Sequence, residues 1–331
     1  MVAAAGLRPA LYPGPLARDQ VLQLIDSAEL PGMSPMNTVI ADTNFIASTA
    51  DAPLLIEPQT KAYAPFITDK ALRGPGSFMI DVVLKIEDFP SLEGLSEIFE
   101  GKGSWSMFKK ADEYYLVLNP TLPDGPECIA RFGPHFDKVI VYCGKTDLVE
   151  IEGKKMVRNP IAYPLDQLLL MYALAHRKGA LIHASGVDFR GRGYMFTGKS
   201  GTGKSTLSRT FASEGYNVLS DDRIVARSID GEFKMFGTPW SGEAGIAQNK
   251  ALPLCGIFFI SHGTENVIRK ITPTEAVERL MPVTSIPWYD KTAMVAILSF
   301  CEEVVSHTPT YEFSFRPEIE AVRFFEDFVS E

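Results

Sequence analysis

Short apolar runs separated by turn residues mark the first half of the chain. FMIDVVLKI (78–86), YYLVLN (114–119), CIARFG (128–133) and KVIVYCG (138–144) predict β-strands, and together a small, mostly β (α+β) N-terminal domain over 78–155. Upstream the pattern is weak. A short helix is expected over Ala17 to Leu30, and the rest of 1–77, rich in Pro, Gly, Thr and Ala, reads as an extended arm, an edge strand or a lid. From Tyr163 to Ala180 the pattern turns helical, with Leu168, Met171, Tyr172 and Ala175 at three- and four-residue spacing and Gly179 as C-cap. A linker is expected near 155–162. Beyond it, ALIHASGVDF, GYMFTG, a helix over 204–214, YNVLSDD, RIVARSI, FKMFG and CGIFFIS alternate in the manner of an α/β domain over 160–331. After these come a turn, a short helix capped by Thr274, and an aromatic loop around Trp288 and Tyr289.

Composition narrows the function classes. A chain of 331 residues with 46% apolar and 22% charged side chains is an ordinary globular protein, long enough for two domains. The 41 acidic residues outnumber 32 basic ones, and no Lys/Arg run of the kind that tracks nucleic acid is present. Cys128, Cys143, Cys255 and Cys301 are too scattered for a zinc site or a disulfide framework. Pro and Gly interrupt the N-terminal stretch, and no run reaches the ~18 apolar residues of a membrane span. The expectation is a cytoplasmic protein with neither nucleic acid nor membrane as partner.

GKSGTGKST (198–206) changes the picture from globular protein to nucleotide site. Gly198, Gly203, Lys204 and Ser205 satisfy G-x-x-x-x-G-K-[ST] between a strand-like and a helix-like run. Glycines let backbone N–H groups curl round an anion with no Cβ in the way, and the helix N-terminus adds a favourable dipole. The phosphate cradle is thus expected from Gly198, Ser200, Gly201, Thr202, Gly203, Lys204, Ser205 and Thr206. Lys204 would reach the β- and γ-phosphates, and the Ser205 hydroxyl would ligate Mg²⁺. VLSDD (218–222) supplies a second metal anchor after an apolar strand. Adjacent strand residues point to opposite faces, so Asp221 and Asp222 share the pocket only if the strand has already ended.

LIHASGVDFRGRGYMFTGKSGTGKSTLSRTFASEGYNVLSDDRIVA resembles the catalytic core of HPr kinase/phosphorylase: a His-bearing strand, a Gly-bearing turn, the P-loop, then Asp-Asp-Arg after a strand. It is also similar to HPr-kinase-related kinases of peptide-modification gene clusters and, more distantly, to ATP-dependent phosphoenolpyruvate carboxykinase. The match covers about 181–260. It implies a P-loop core of HPr-kinase/PEP-carboxykinase type with a mixed sheet, and ATP and Mg²⁺ as cofactors. It further implies Lys204 in catalysis, Asp221 near the metal, Asp222 as base on the acceptor hydroxyl, and His183 as the family's active-site histidine. Glu243, in GTPWSGEAG (237–245), falls where the family has a metal-binding acid, although the local pattern differs. That loop, with Trp240 projecting from it, could equally close over the acceptor. Arg223 and Arg269 are candidates for a γ-phosphate arginine.

The family's C-terminal signature for its protein substrate is absent after Gly245, and nothing before residue 160 matches that family's N-terminal domain. The expected function is transfer of the γ-phosphoryl group to a hydroxyl, either a serine of a peptide or protein or a small metabolite. The alternative is a nucleotide-binding regulatory or assembly protein with weak or no ATPase activity, and a third reading is carboxykinase-like chemistry. Whether copies of the chain form a homo-oligomer is left open.

Overall fold

A computed structural model describes residues 36–49, 55–56, 61–120, 122, 125–144, 148–151, 154–157 and 160–330. The helix expected over Ala17 to Leu30 lies outside them. Within them the chain divides into two compact units: one takes 36–37, 45–60 and 80–165, the other 38–44, 61–79 and the chain from Asp166 on.

Among the described residues, twelve strands precede the α-helix at Leu165: β1 (Met36–Ile40), β2 (Thr43–Thr49), β3 (Leu55–Ile56), β4 (Ile67–Thr68), β5 (Phe78–Ile86), β6 (Ser96–Glu100), β7 (Trp105–Lys110), β8 (Glu113–Leu118), β9 (Cys128–Phe132), β10 (Lys138–Cys143), β11 (Leu148–Ile151) and β12 (Lys154–Val157). In the first unit a sheet runs β2-β5-β10-β9-β8-β7-β6. β5 shows why it forms: Ile80, Val82 and Leu84 are buried, while Met79, Asp81 and Lys85 between them are not. β10 lies parallel to β5, and the hairpins β6 to β9 are antiparallel.

The long C-terminal stretch of the second unit starts within α1 (Leu165–Ala175), which is buried on every side, Asp166 and Gln167 included. A helix apolar all round belongs inside a core. It ends at Ala175, and Gly179, expected as its cap, instead begins a strand. Next come β13 (Gly179–Phe189), β14 (Arg192–Thr197), α2 (Lys204–Ser213), β15 (Asn217–Ser220), β16 (Arg223–Ile229), β17 (Glu232–Phe236) and β18 (Ala251–His262). The chain closes with β19 (Val267–Lys270), α3 (Pro273–Leu280), α4 (Lys291–His307), β20 (Thr310–Phe315) and α5 (Ile319–Ser330). The cap of α3 is Thr272 rather than Thr274: its hydroxyl accepts from the Glu275 amide in a full capping box.

The sheet order is β14-β13-β16-β17-β18-β20-β19, and β18 also pairs with β14, so five strands close on themselves. β14, β18 and β20 run parallel, and the other pairings are antiparallel. These mixed sheets with few helices make an α/β fold. Leu207 and Phe211 of α2, with Val322 and Phe325 of α5, bury against Phe196, Phe258 and Phe313 from the parallel strands. The Phe325 ring lies 5.2 Å from Phe196 and 5.4 Å from Phe211. This aromatic core fixes α2, and with it the turn that leads into the helix.

Candidate active site

The turn 198–203 leaves the C-terminal end of β14 and leads into α2. Two glycines are required by its geometry. A Cβ on Gly198 would stand 2.7 Å from Thr202 Oγ1 and 3.0 Å from the Ile260 carbonyl oxygen. Gly203, at φ 94°, has the rings of His262 and Phe315 within 2.9 Å of where a Cβ would be. Gly201 is also left-handed, at φ 85°, and Ser200 beside it is exposed. The Thr202 hydroxyl donates to the Lys199 carbonyl at 2.9 Å. Lys204 Nζ folds back to donate to the carbonyls of Gly198 at 2.8 Å and Lys199 at 3.1 Å. Ser205 and Thr206 follow in the first turn of α2, half-buried and exposed respectively.

Lys204 is 6% exposed. Burial lowers its ammonium to about 8, against the pull of Asp222, while Arg223 adds to the lowering. Those influences put the lysine, the carboxylate and the guanidinium in one electrostatic neighbourhood.

Asp221 and Asp222 lie in the turn between β15 and β16, so strand alternation no longer governs them. Their surroundings differ completely. Asp221 is 1% exposed and faces the 237–246 loop: its oxygens accept from the amides of Gly242 at 2.9 Å, Ala244 at 2.7 Å and Ile246 at 3.2 Å. Asp222 faces the strand ends, with Oδ1 3.0 Å from His183 Nδ1 and Oδ2 3.2 Å from Arg223 Nε. The pairing of His183 opposite Arg223 across β13 and β16 builds this contact. His183 Nδ1 also lies 3.0 Å from the Asp222 carbonyl, and because both neighbours are acceptors, this nitrogen carries the proton. Burial would raise the Asp222 carboxyl, but the His183 hydrogen bond and the charges of Arg223, His183 and Lys204 hold it below the usual carboxylate range.

The remaining candidates fall elsewhere. Glu243 points outward, its side chain 84% exposed, with Oε2 3.6 Å from Arg209 of α2. Arg269 sits in a network of its own with Glu312 at 2.9 Å and Glu275 at 3.6 Å. Among the described residues no group of three or more His, Cys, Asp or Glu side chains is arranged to hold a metal. Trp288 is 54% exposed, and Tyr289 accepts a hydrogen bond from Tyr172 at 2.9 Å.

Trp240 departs from expectation. It is buried rather than projecting, and its indole N–H lies 3.2 Å from each oxygen of Asp166 and 3.1 Å from the Tyr63 hydroxyl. Neither Asp166 nor Tyr63 stands out in the sequence. The one available signal is an acid inside the apolar run LDQLLLMYALA, where a carboxylate needs partners.

No family model matches the chain. Over 135 residues, 41% of its length, the chain is 29% identical to a protein of Lactiplantibacillus plantarum named HPr kinase/phosphorylase. It spans 40% of that curated relative's length. Among solved structures, the Hpr(Ser) kinase/phosphatase from Coxiella burnetii aligns over 46% of this chain and 99% of its own, at 12% identity and a TM-score of 0.27. An overlay that loose carries no weight for the fold. The chain is HPr-kinase-like over part of its length. Among the described residues no helix is long and apolar enough to cross a membrane.

Proposed function

We propose that the chain is a kinase that moves the γ-phosphoryl group of ATP to a hydroxyl of a peptide, a protein or a small metabolite. The observation that carries this reading is the convergence of Lys204, Asp222, His183 and Arg223 beside the glycine turn. A phosphate cradle alone suits any nucleotide-binding protein, whereas a carboxylate held ionised next to it suits an incoming hydroxyl.

In this reading the acceptor O–H attacks the γ-phosphorus, its proton passes to an oxygen of Asp222, and the bond to the β-phosphate oxygen breaks to release ADP. His183 and Arg223 orient the two Asp222 oxygens. Lys204 exchanges its bonds to the Gly198 and Lys199 carbonyls for bonds to phosphate. The low proton affinity of Asp222 in the free protein rises as phosphate oxygens take up the cations around it.

Mg²⁺ bound with the triphosphate would supply neutralisation of charge on the β- and γ-oxygens. We assign Ser205 as its protein ligand, in line with an ion that keeps several waters and few protein oxygens. Asp221, its carboxylate already satisfied by three amides, is assigned to hold the 237–246 loop. Glu243 reaches a metal only if that loop turns it inward and it leaves Arg209.

The test follows γ-labelled ATP in a fractionated cell extract with the wild-type chain and with Asp222→Asn, alongside direct measurement of nucleotide affinity. Label should move to a discrete acceptor with the wild type. The variant should lose transfer by roughly 10²–10⁴-fold while nucleotide affinity stays within about twofold. Label found only as free phosphate, released equally by both proteins, would point to the regulatory reading instead.

A further inference from the structure

The 237–246 loop meets the site on one shoulder and the interior on the other. On the first, three of its amides cage Asp221, and a Cβ on Gly242 would stand 2.9 Å from Asp221 Oδ2 and 3.1 Å from Asp222 Cβ. A drift of this loop therefore moves the three amides that hold the Asp221 carboxylate, and at Gly242 the backbone that lies beside the Asp222 Cβ. On the second shoulder, Trp240 turns inward to Asp166.

Asp166 is fully buried at the start of α1. Its oxygens accept from the Tyr63 hydroxyl at 2.7 Å, from the Trp240 indole at 3.2 Å and from the Gln167 amide at 2.7 Å. Among the described residues, the groups that hydrogen-bond it are these three and its own amide, all neutral. A carboxylate taken from water, with no ion pair among the described residues, is an expensive way to bind an indole, since an amide or an apolar side chain would fill the same space at lower cost. Burial pushes this carboxyl up to about 6, opposed by the bonds from Tyr63, Trp240 and the amides. What the ionised form gains over any neutral substitute is strength: hydrogen bonds to a charged acceptor are about twice as strong as neutral ones.

We propose that Asp166 is a positioning residue that grips the Trp240 indole and thereby sets the loop caging Asp221 and backing Asp222. Its consequence for catalysis rests on the kinase reading, and its grip on the loop does not.

The experiment compares the full-length wild type with Asp166→Asn and Trp240→Phe in two measurements. Tryptophan emission recorded from pH 5 to 8 should shift in the wild type with a midpoint near about 6. The shift should vanish in both variants, which assigns it to this pair. Asp166→Asn should lower kcat for phosphoryl transfer roughly ten- to a hundredfold, with KM for ATP within about twofold and no loss of thermal stability at pH 7.5. The acid limb of the wild-type kcat profile near pH 6 should also be missing. A variant with wild-type kcat and an unaltered emission titration overturns the proposal. So does a fall in kcat that merely tracks a fall in Tm, because it makes Asp166 a packing residue. If the wild type transfers no phosphate while the emission titration behaves as stated, the kinase reading fails and the Asp166 grip stands.

Discussion

The two units bury different kinds of side chain. The first hides Ile80, Val82, Leu84, Met107, Leu116, Ile129 and Val141. The second hides a larger aromatic core, and with it Asp166, Lys204, Asp221 and Arg227. Among the described residues every buried Asp, Lys and Arg belongs to this second unit. Each such charge costs several kcal/mol to desolvate. In the sheet of the first unit β5 alternates while β8 is buried from Tyr114 to Leu118, and apolar packing is enough to place both. The second spends stability on charges held by turn and loop groups: Lys204 by the Gly198 and Lys199 carbonyls, Arg227 by those of Ala41 and Gly76, Asp221 by the 237–246 amides.

Matched deletions sharpen the contrast most. Leu116→Ala should lose about 2–5 kcal/mol through an uncollapsed cavity, and Asp221→Ala a similar amount, on the order of 3 kcal/mol, because three amides lose their acceptor. Urea unfolding measures both losses. Only the second should also depress phosphoryl transfer, and equal depression by Leu116→Ala would break the contrast.

Lys204→Met should act in the opposite direction on stability. The folded value of about 8 lies below the unfolded 10.5, so the penalty is present in full below pH 8 and is relieved between 8 and 10.5. The variant should gain up to ~3 kcal/mol at pH 7 while losing most of its nucleotide affinity. Calorimetric unfolding and nucleotide titration read the two effects, and a less stable variant would show that the buried ammonium is not a burden.

The smallest effect is one of pH on the unmutated chain. Phosphate binds the protonated lysine, so nucleotide affinity should be flat below pH 8 and then fall towards tenfold per unit above it. Isothermal titration from pH 7 to 9.5 would show it; a flat profile throughout would mean that Lys204 stays charged in the free protein.

Much of this was legible from local pattern. The run 78–86 is a strand because its alternation survives in β5, and the glycine turn lies between β14 and α2 because its residue types leave few other conformations. α1 was legible as a helix, but its three- and four-residue spacing concealed that it is buried all round. The local pattern assigns nothing beyond the aromatic loop around Trp288 and Tyr289, and the helices α4 and α5 and strand β20 that follow it escaped. The division of labour between Asp221 and Asp222 was not readable either: it depends on which carboxylate the 237–246 loop reaches. The group of Tyr63, Asp166 and Trp240 had no local signature at all, because its members are 74 to 177 positions apart.

Arg227 donates to the carbonyls of Ala41 and Gly76 at 2.7 Å each, across 186 and 151 positions. Tyr63 meets Trp240 across 177. During synthesis these early segments emerge long before their partners exist. At ribosomal rates of about 5–20 residues per second, Tyr63 is without Trp240 for roughly 10–35 s. The contacts of residues 38–44 and 61–79 with Arg227 and Trp240 thus form only after the chain has grown past 240, and until then these early segments lack those partners.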